Sequence, residues 1–345
     1  MARPTRQNNI TSPELLDKVN QDNIRLKEDF LDYLRSVQRS PKTIHGYEND
    51  LDIFWVWNYE HNKDKFFTKV TKRDIASFQG WLINENGNSP ARVRRIKATL
   101  SSLSNYIENM CDDDPEFEGF HSVVKKVENP AMQTVRQKTV WDDESLEELL
   151  NMLMIKKQFK KACMLALAMC SGRRKAELCR FKVDDFKQSN LVCGNALYKT
   201  SEPMKTKGFG LGKYIYCYTL AKKFRPYFDT WMEQRKIEGI KSEWLFPSPK
   251  NPDVQISEDA MNAWARDFTK LTGRNFYWHS LRHYFTTHLA KLGLPDSIIQ
   301  EIVGWESADM VKIYKDISAE EQIASYFDSS GNIRARDKNP FGRLT

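Results

Sequence analysis

The stretch Trp278-His279-Ser280-Leu281-Arg282-His283-Tyr284 decides how the rest of the chain is read. It opens a segment of helical periodicity that runs to about Leu292. Leu281, Phe285, Leu289 and Leu292 recur at helical spacing and make an apolar face. Arg282 sits one step off that face. His279 and His283 are four apart, so one side of the helix carries both, a turn from each other. A guanidinium fork suits phosphate oxygens, and an imidazole can donate a hydrogen bond or move a proton. Three readings fit: a solvated face with a satisfied core histidine, a metal site, or an anion site for a phosphodiester. The metal reading has the His-x-x-x-His zinc spacing. It lacks the Glu of His-Glu-x-x-His and an obvious third ligand. The stretch alone does not choose between the other two.

Composition narrows the field. A chain of 345 residues is long for one core, so two domains are expected. The net charge of +7 suits an anionic partner without proving one. No apolar run approaches the ~20 residues of a membrane span, and the N-terminus Met-Ala-Arg-Pro-Thr-Arg lacks the apolar core of a signal peptide. A cytoplasmic protein is expected. The six cysteines form no Cys-x-x-Cys pair, and several lie in apolar runs such as Cys163-Met164-Leu165-Ala166. They read as reduced packing residues.

Two further stretches bear on the choice. One is Ser171-Gly172-Arg173-Arg174-Lys175-Ala176-Glu177-Leu178. The other is Gly304-Trp305-Glu306-Ser307, followed by Val311-Lys312-Ile313-Tyr314. Together with the first stretch they form an ordered set. It comprises an Arg after a Ser-Gly turn, a Lys in a β-hairpin, His-x-x-Arg-His, a Gly-Trp, and a late Tyr. This set resembles the tyrosine recombinase (phage integrase) family, site-specific recombinases of the Xer, Cre and lambda-integrase kind. The resemblance covers roughly residues 24 to 328. It implies a mainly α fold with a small β-hairpin or sheet, arranged as a two-domain DNA clamp. It further implies a flexible lead-in at 1–22, a helical core-binding (SAM-like) domain at 23–112 and a linker at 113–138. An α+β catalytic domain at 139–328 and a C-terminal tail at 329–345 complete the plan.

The chain in order fits this plan. Residues 1 to 22 balance three basic against three acidic side chains with little apolar pattern. Ile24, Phe30, Leu31 and Leu34 form a first stripe. Ser40-Pro41 starts a second helix, since Ser can cap and Pro suits the first turn. A third begins near Thr71. Ser89-Pro90 starts a fourth, with Arg92, Arg94, Arg95 and Lys97 in its first two turns. A helix N-terminus is poor ground for cations unless an anion binds there. These four therefore point to a phosphate contact, against the plainer reading of a solvated face. Ser40 to Ile44 and Arg95 to Leu100 resemble the family's core-binding domain, and Lys42 joins the expected DNA contacts. Cys111 to Pro115 ends the helical pattern, and the polar stretch with Asn129-Pro130 reads as the linker.

In the second half, Asp142 or Asp143 can cap a helix through Leu149 to Met154. Lys160 to Cys170 is an apolar helix that ends at Ser171-Gly172. Val192 to Tyr198 and Tyr214 to Tyr218 read as a hairpin around the Gly-rich turn Lys205 to Lys213. Helices are expected at about 221 to 238, 257 to 271, and Asp296 to Val303. Another is expected at Tyr314, and a last one from Glu320 to Phe327. The resemblance implies that this last one docks on a neighbouring protomer. The tail from Ser329 reads as disordered when alone.

The chemistry explains the residue types. Phosphodiesters resist cleavage because the nucleophile meets an anion and an alkoxide must leave. Arg174 and Arg282 fit as holders of the non-bridging oxygens, because guanidinium forks match two oxygens and stay charged. Tyr314 fits as nucleophile, since a phenol leaves better than an aliphatic alkoxide and its phosphodiester conserves bond energy. Lys207 fits as general acid. His279 and His283 can assist proton movement or orient the phosphate, and Trp305 can donate one hydrogen bond where many relatives have His. Glu177 reads as a support that orients an Arg. Arg173 stands where relatives are usually apolar, and is expected to face solvent or DNA. The plainer readings are an Arg174–Glu177 surface pair and a Tyr314 that is one more packed aromatic. No metal or nucleotide cofactor is implied, because the phosphotyrosine stores the energy. The expected partners are double-stranded recombination sites, three further protomers in a tetramer on DNA (a monomer when free), and a directionality factor. The rival activities are type IB topoisomerase-like relaxation and a catalytically silent DNA-binding regulator.

Overall fold

The computed structural model describes residues 10–131, 141–206 and 213–305. These fall into two compact units, one of residues 10–131 and one of 141–206 with 213–305.

The first unit is helical: α1 (Pro13–Leu16), α2 (Gln21–Ser36), α3 (Pro41–His61), α4 (Lys72–Asn84) and α5 (Pro90–Met110). Its starts are written in the sequence. Ser40 and Ser89 accept from the N–H groups of Thr43 and Arg92, each with Pro in the first turn. Thr71 and Asp74 form a reciprocal capping box on α4. Helix α3 is buried along a continuous run, Ile53 to Asn58, with Phe54 and Trp55 fully enclosed. A helix buried nearly all round shows little one-sided periodicity. Around it pack Phe30 and Leu34 of α2, Ile75 and Phe78 of α4, and Ile96, Leu100 and Leu103 of α5.

The second unit is built around α7 (Phe159–Ser171), which is buried at every residue from Ala162 to Ser171. Helix α6 (Asp143–Ile155) precedes it, capped by Asp142, which accepts from the Ser145 N–H at 2.7 Å. The short α8 (Lys175–Leu178) follows. Then come β1 (Leu191–Val192), β2 (Leu197–Lys199), β3 (Met204–Lys205), β4 (Tyr214–Ile215) and β5 (Tyr218–Leu220). Helices α9 (Ala221–Ile237), α10 (Glu258–Thr272), α11 (Trp278–Lys291) and α12 (Asp296–Val303) complete it. Helices α6, α9 and α11 pack on α7.

The strands differ from the single hairpin expected. Cys193, Gly194 and Asn195 all take positive φ (54°, 65° and 70°), which folds the expected strand back on itself. The result is an antiparallel sheet in the order β1-β2-β5, plus a separate β3–β4 pair. That pair flanks residues 207–212, and the Thr206 N–H donates to the Lys213 carbonyl at 2.7 Å. No helix among the described residues is long and apolar enough to cross a membrane.

Candidate active site

The site is assembled where the C-terminus of α7 meets α11. Gly172 ends α7 in the left-handed region, φ 58°. A Cβ there would lie 2.3 Å from Cδ1 of Phe285, so only glycine allows this approach. Phe285 is the α11 residue that the apolar stripe brings inward. Gly172 thus places the Arg173-Arg174 turn against the helix that carries Arg282.

Arg282 is 1% exposed. Its Nη1 donates to the Gly172 carbonyl at 2.9 Å, and its Nη2 to the Val303 carbonyl at 3.2 Å. Its guanidinium lies 4.9 Å from the centroid of the Trp305 ring. Trp305 itself is buried, just beyond Gly304, which ends α12 at φ 71°. Arg174 caps α8: its N–H donates to Glu177 Oε2 at 3.1 Å and its Nη1 to Oε1 at 3.0 Å. Glu177 is 1% exposed, while the Arg174 side chain is about one-third open. A buried carboxylate gripping one edge of a fork leaves the other edge for an anion.

His279, in the first turn of α11, has a ring face open to solvent. Its pKa is nonetheless held below the ordinary imidazole value. Partial desolvation by the surrounding protein comes first, then the positive charges of Arg282 and Arg174. His279 therefore shares one electrostatic environment with both arginines. His283 stacks edge-on to it, with ring centroids 5.7 Å apart. His283 also lines a cavity of about 150 Å³ with Asp143, Tyr284 and His288. Tyr284 is no candidate nucleophile. Its buried hydroxyl donates to Asp143, and burial followed by that carboxylate pushes its pKa upward.

Arg173 departs from expectation. It is 1% exposed and faces neither solvent nor ligand, and its Nη2 donates to the Ile302 carbonyl. Of the two neighbouring arginines, Arg174 is the one with a partly exposed side chain. Lys207 and Tyr314, with the C-terminal segment around Glu320 to Phe327, lie outside the described residues. Lys205 stands exposed on β3, two residues before Lys207.

The expected contacts of the first unit divide. Lys42 is exposed on the first turn of α3. Arg92 and Arg95 both pair with Asp50, which is itself 1% exposed and also accepts from Thr99 Oγ1 at 3.0 Å. Arg95 keeps most of its side chain in solvent. Arg94 spends Nε and Nη2 on the Pro130 carbonyl, at 3.0 and 2.8 Å. The expectation for Lys97 is corrected. It is 4% exposed, and its ammonium donates to Gln79 Oε1 at 3.0 Å, the Val127 carbonyl at 2.8 Å and the Glu128 carbonyl at 3.1 Å. The reason is that the protein itself supplies the acceptors of this helix start: these three oxygens for Lys97 and the Asp50 carboxylate for Arg92 and Arg95. Sequence reasoning missed Asp50, and only its pairing with Arg92 and Arg95, more than 40 positions along, gives it this role.

Comparison with known proteins gives the family. The model of the phage integrase family matches residues 140–321, and that of the phage integrase N-terminal SAM-like domain matches 26–116. The chain belongs to the phage integrase family. Within it, the chain is a tyrosine site-specific recombinase. It is 27% identical over 306 residues to the SPbeta prophage-derived recombinase-like protein YomM of Bacillus subtilis, covering 85% of this chain and 88% of that one. It is 25% identical over 299 residues to the tyrosine recombinase XerA of Pyrococcus horikoshii, covering 86% and 90%. Among solved structures, XerH recombinase bound to palindromic difH substrate matches with a TM-score of 0.64 at 19% identity, covering 90% of this chain and 87% of that one. A lambda integrase dimer bound to a COC′ core site matches at 0.62 and 16%, covering 86% and 96%.

Proposed function

We propose that this recombinase cuts and rejoins DNA through a 3′-phosphotyrosyl intermediate and serves the integration and excision of a mobile element. The observation that carries the reading is the convergence of Arg174, Arg282 and His279 around Gly172, with one buried carboxylate, Glu177, among them. Fixed positive charge with forked donors is suited to a phosphodiester. Arg174 and Arg282 hold the non-bridging oxygens. Tyr314 passes its phenolic proton to His279 as its oxygen attacks phosphorus, the bond to the 5′-oxygen breaks, and Lys207 gives that oxygen its proton. His279 and Trp305 orient the phosphate, Glu177 orients Arg174, and His283 supports His279. Rejoining reverses these steps.

Residues 23–112 act as the core-binding domain and 139–328 as the catalytic domain, on double-stranded sites, as a tetramer on DNA and a monomer when free. Lys42, Arg92 and Arg95 are the backbone contacts of the first domain. The structural relatives caught on DNA support this, and the prophage origin of one relative supports the mobile-element role. The protein works in the cytoplasm, with a directionality factor choosing between integration and excision.

Sequencing the junctions formed in cells that carry the native element tests the recombination. On a nicked duplex built from such a junction, the unmutated protein is expected to accumulate a covalent adduct and Tyr314→Phe none, while binding DNA equally. An adduct surviving in Tyr314→Phe, or relaxation of supercoils with no recombinant junction, overturns the reading.

A further inference from the structure

Helix α12 ends in carbonyls that two arginines share. The last turn of an α-helix leaves carbonyls without partners and carries the negative end of the helix dipole. Here Arg282 takes the Val303 carbonyl, and Arg173 takes the neighbouring Ile302 carbonyl. Arg173 is the more unusual of the two, because it is 1% exposed and no carboxylate is paired with it among the described residues. Burying a charge is costly unless fixed dipoles answer it. Its Nε and Nη1 are buried and find no hydrogen-bond partner among the described residues. Such a group is retained only if its one firm contact matters.

The corner it reaches is tight. Gly304 turns the chain at φ 71° between α12 and Trp305. A Cβ on Gly304 would lie 3.0 Å from Arg173 Nη1 and 2.4 Å from Cδ1 of Ile215 on β4. Arg173 from one side and β4 from the other therefore close on this corner. Beyond it, the backbone N–H groups of Gly304 and Trp305 return to the Gln300 carbonyl, at 2.8 and 3.0 Å. The Trp305 ring then lies over Arg282. Displacing the corner would move the Trp305 ring off Arg282.

We infer that Arg173 is a positioning residue: a buried latch on the Ile302 carbonyl that fixes the Gly304-Trp305 corner against the Arg174–Arg282 site. It touches no phosphate. It sets where Trp305 sits over Arg282. The catalytic half of this inference rests on the proposed phosphotyrosyl chemistry, whereas the structural half does not.

The experiment therefore has two arms on the full chain. In the first, amide exchange is followed in Arg173→Met and Arg173→Lys without DNA. Exchange over 300–305 is expected to quicken at least about tenfold in Arg173→Met, while α7 stays protected, and to return near the unmutated rate in Arg173→Lys, which keeps a charge and a donor. In the second arm, adduct formation is followed on the nicked junction duplex at saturating DNA. Arg173→Met is expected to be about 10- to 100-fold slower with unchanged half-saturation, and Arg173→Lys within about threefold of the unmutated protein. Unchanged exchange in Arg173→Met, or a Lys variant as impaired as the Met variant, overturns the latch. Altered exchange with unaltered cleavage overturns its catalytic consequence. If Arg173→Met does not fold, Arg173→Gln takes its place with the same expectations. If the unmutated protein itself forms no adduct, the proposed chemistry has failed, and the exchange arm still decides the latch.

Discussion

The start of α5 and the corner around Gly172 are both dense in cations, and they use them in opposite ways. At α5, Arg92 and Arg95 share the buried carboxylate of Asp50, Arg94 is held by the Pro130 carbonyl, and Lys97 by three oxygens. At the corner, the one buried carboxylate is Glu177, and it holds one edge of Arg174. Arg282 and Arg173 rest on main-chain carbonyls, which offset charge only in part. The first cluster is largely neutralised within the fold. The second keeps positive charge that adds to desolvation in holding the pKa of His279 down. Counting cations in a sequence does not separate these cases; the location of the acceptors does.

The largest effects are expected where the surplus is removed. Arg282→Lys and Arg174→Lys keep a charge but lose the fork. Each is expected to slow adduct formation at saturating DNA by about 10³-fold or more. Melting curves and circular dichroism check that the fold survives. A loss of DNA affinity with an unchanged cleavage rate would place these arginines in binding alone. Lys207→Ala is expected to slow cleavage by about 10²–10⁴-fold. A substrate with sulfur at the 5′-bridging position, whose thiolate leaves without a proton, is expected to restore most of that rate in Lys207→Ala but not in Arg174→Lys. Equal slowness on both substrates would move the acid role to Lys205.

At α5 the expected effect is on stability instead. Lys97→Met removes one ammonium and leaves Gln79 Oε1 and the carbonyls of Val127 and Glu128 without it. These acceptors are only partly buried, so the cost is at the low end of the range for lost hydrogen bonds, about 1 kcal/mol. Chemical denaturation is expected to show that loss, with the salt dependence of DNA binding unaltered. A changed salt slope at constant stability would return Lys97 to the DNA face.

Much of this was legible in the sequence, for identifiable reasons. Ser40, Thr71, Ser89 and Asp142 announce helix starts because a cap is a local bond, made within three residues. The run before Ser171-Gly172 reads as a buried helix because its apolar content leaves no polar face. The two expected segments do pair, as β2 with β5, but three successive positive φ values at Cys193-Gly194-Asn195 split the first of them into two strands. Arg173 and Asp50 were not legible. The first is buried by a carbonyl 129 residues away, and the second anchors a helix that starts 40 residues later. Long-range partners leave no periodicity.

The same surplus charge predicts a milder pH effect. With Arg282 and Arg174 nearby, His279 titrates below its ordinary value in the free protein. A phosphate seated among the three would offset that field and raise its pKa. The bound state then holds more protons than the free state, so affinity is expected to increase as pH falls through the region below about 6.5. That gain in affinity is expected to vanish in His279→Gln. An identical pH profile in the variant would mean that no phosphate reaches His279.

The smallest expected effect tests the neutralised cluster itself. Arg95 is paired with Asp50 yet keeps most of its side chain in solvent, so it can reach a phosphate without leaving its partner. Asp50 is already held by Arg92 and Thr99, which makes the Arg95 pairing the weakest of the three, at 3.4 Å. Taking one cation away from a DNA phosphate lowers the slope of log affinity against log salt by about one. Arg95→Gln is therefore expected to reduce the slope by about one, with a modest loss of affinity. Arg94→Gln is expected to leave the slope alone, because its Nε and Nη2 both serve Pro130. If the two variants behave alike, the division inside α5 is wrong. A flat response in both would make the whole helix start an internal brace, and Lys42 on α3 would then be the first place to look for the backbone contact.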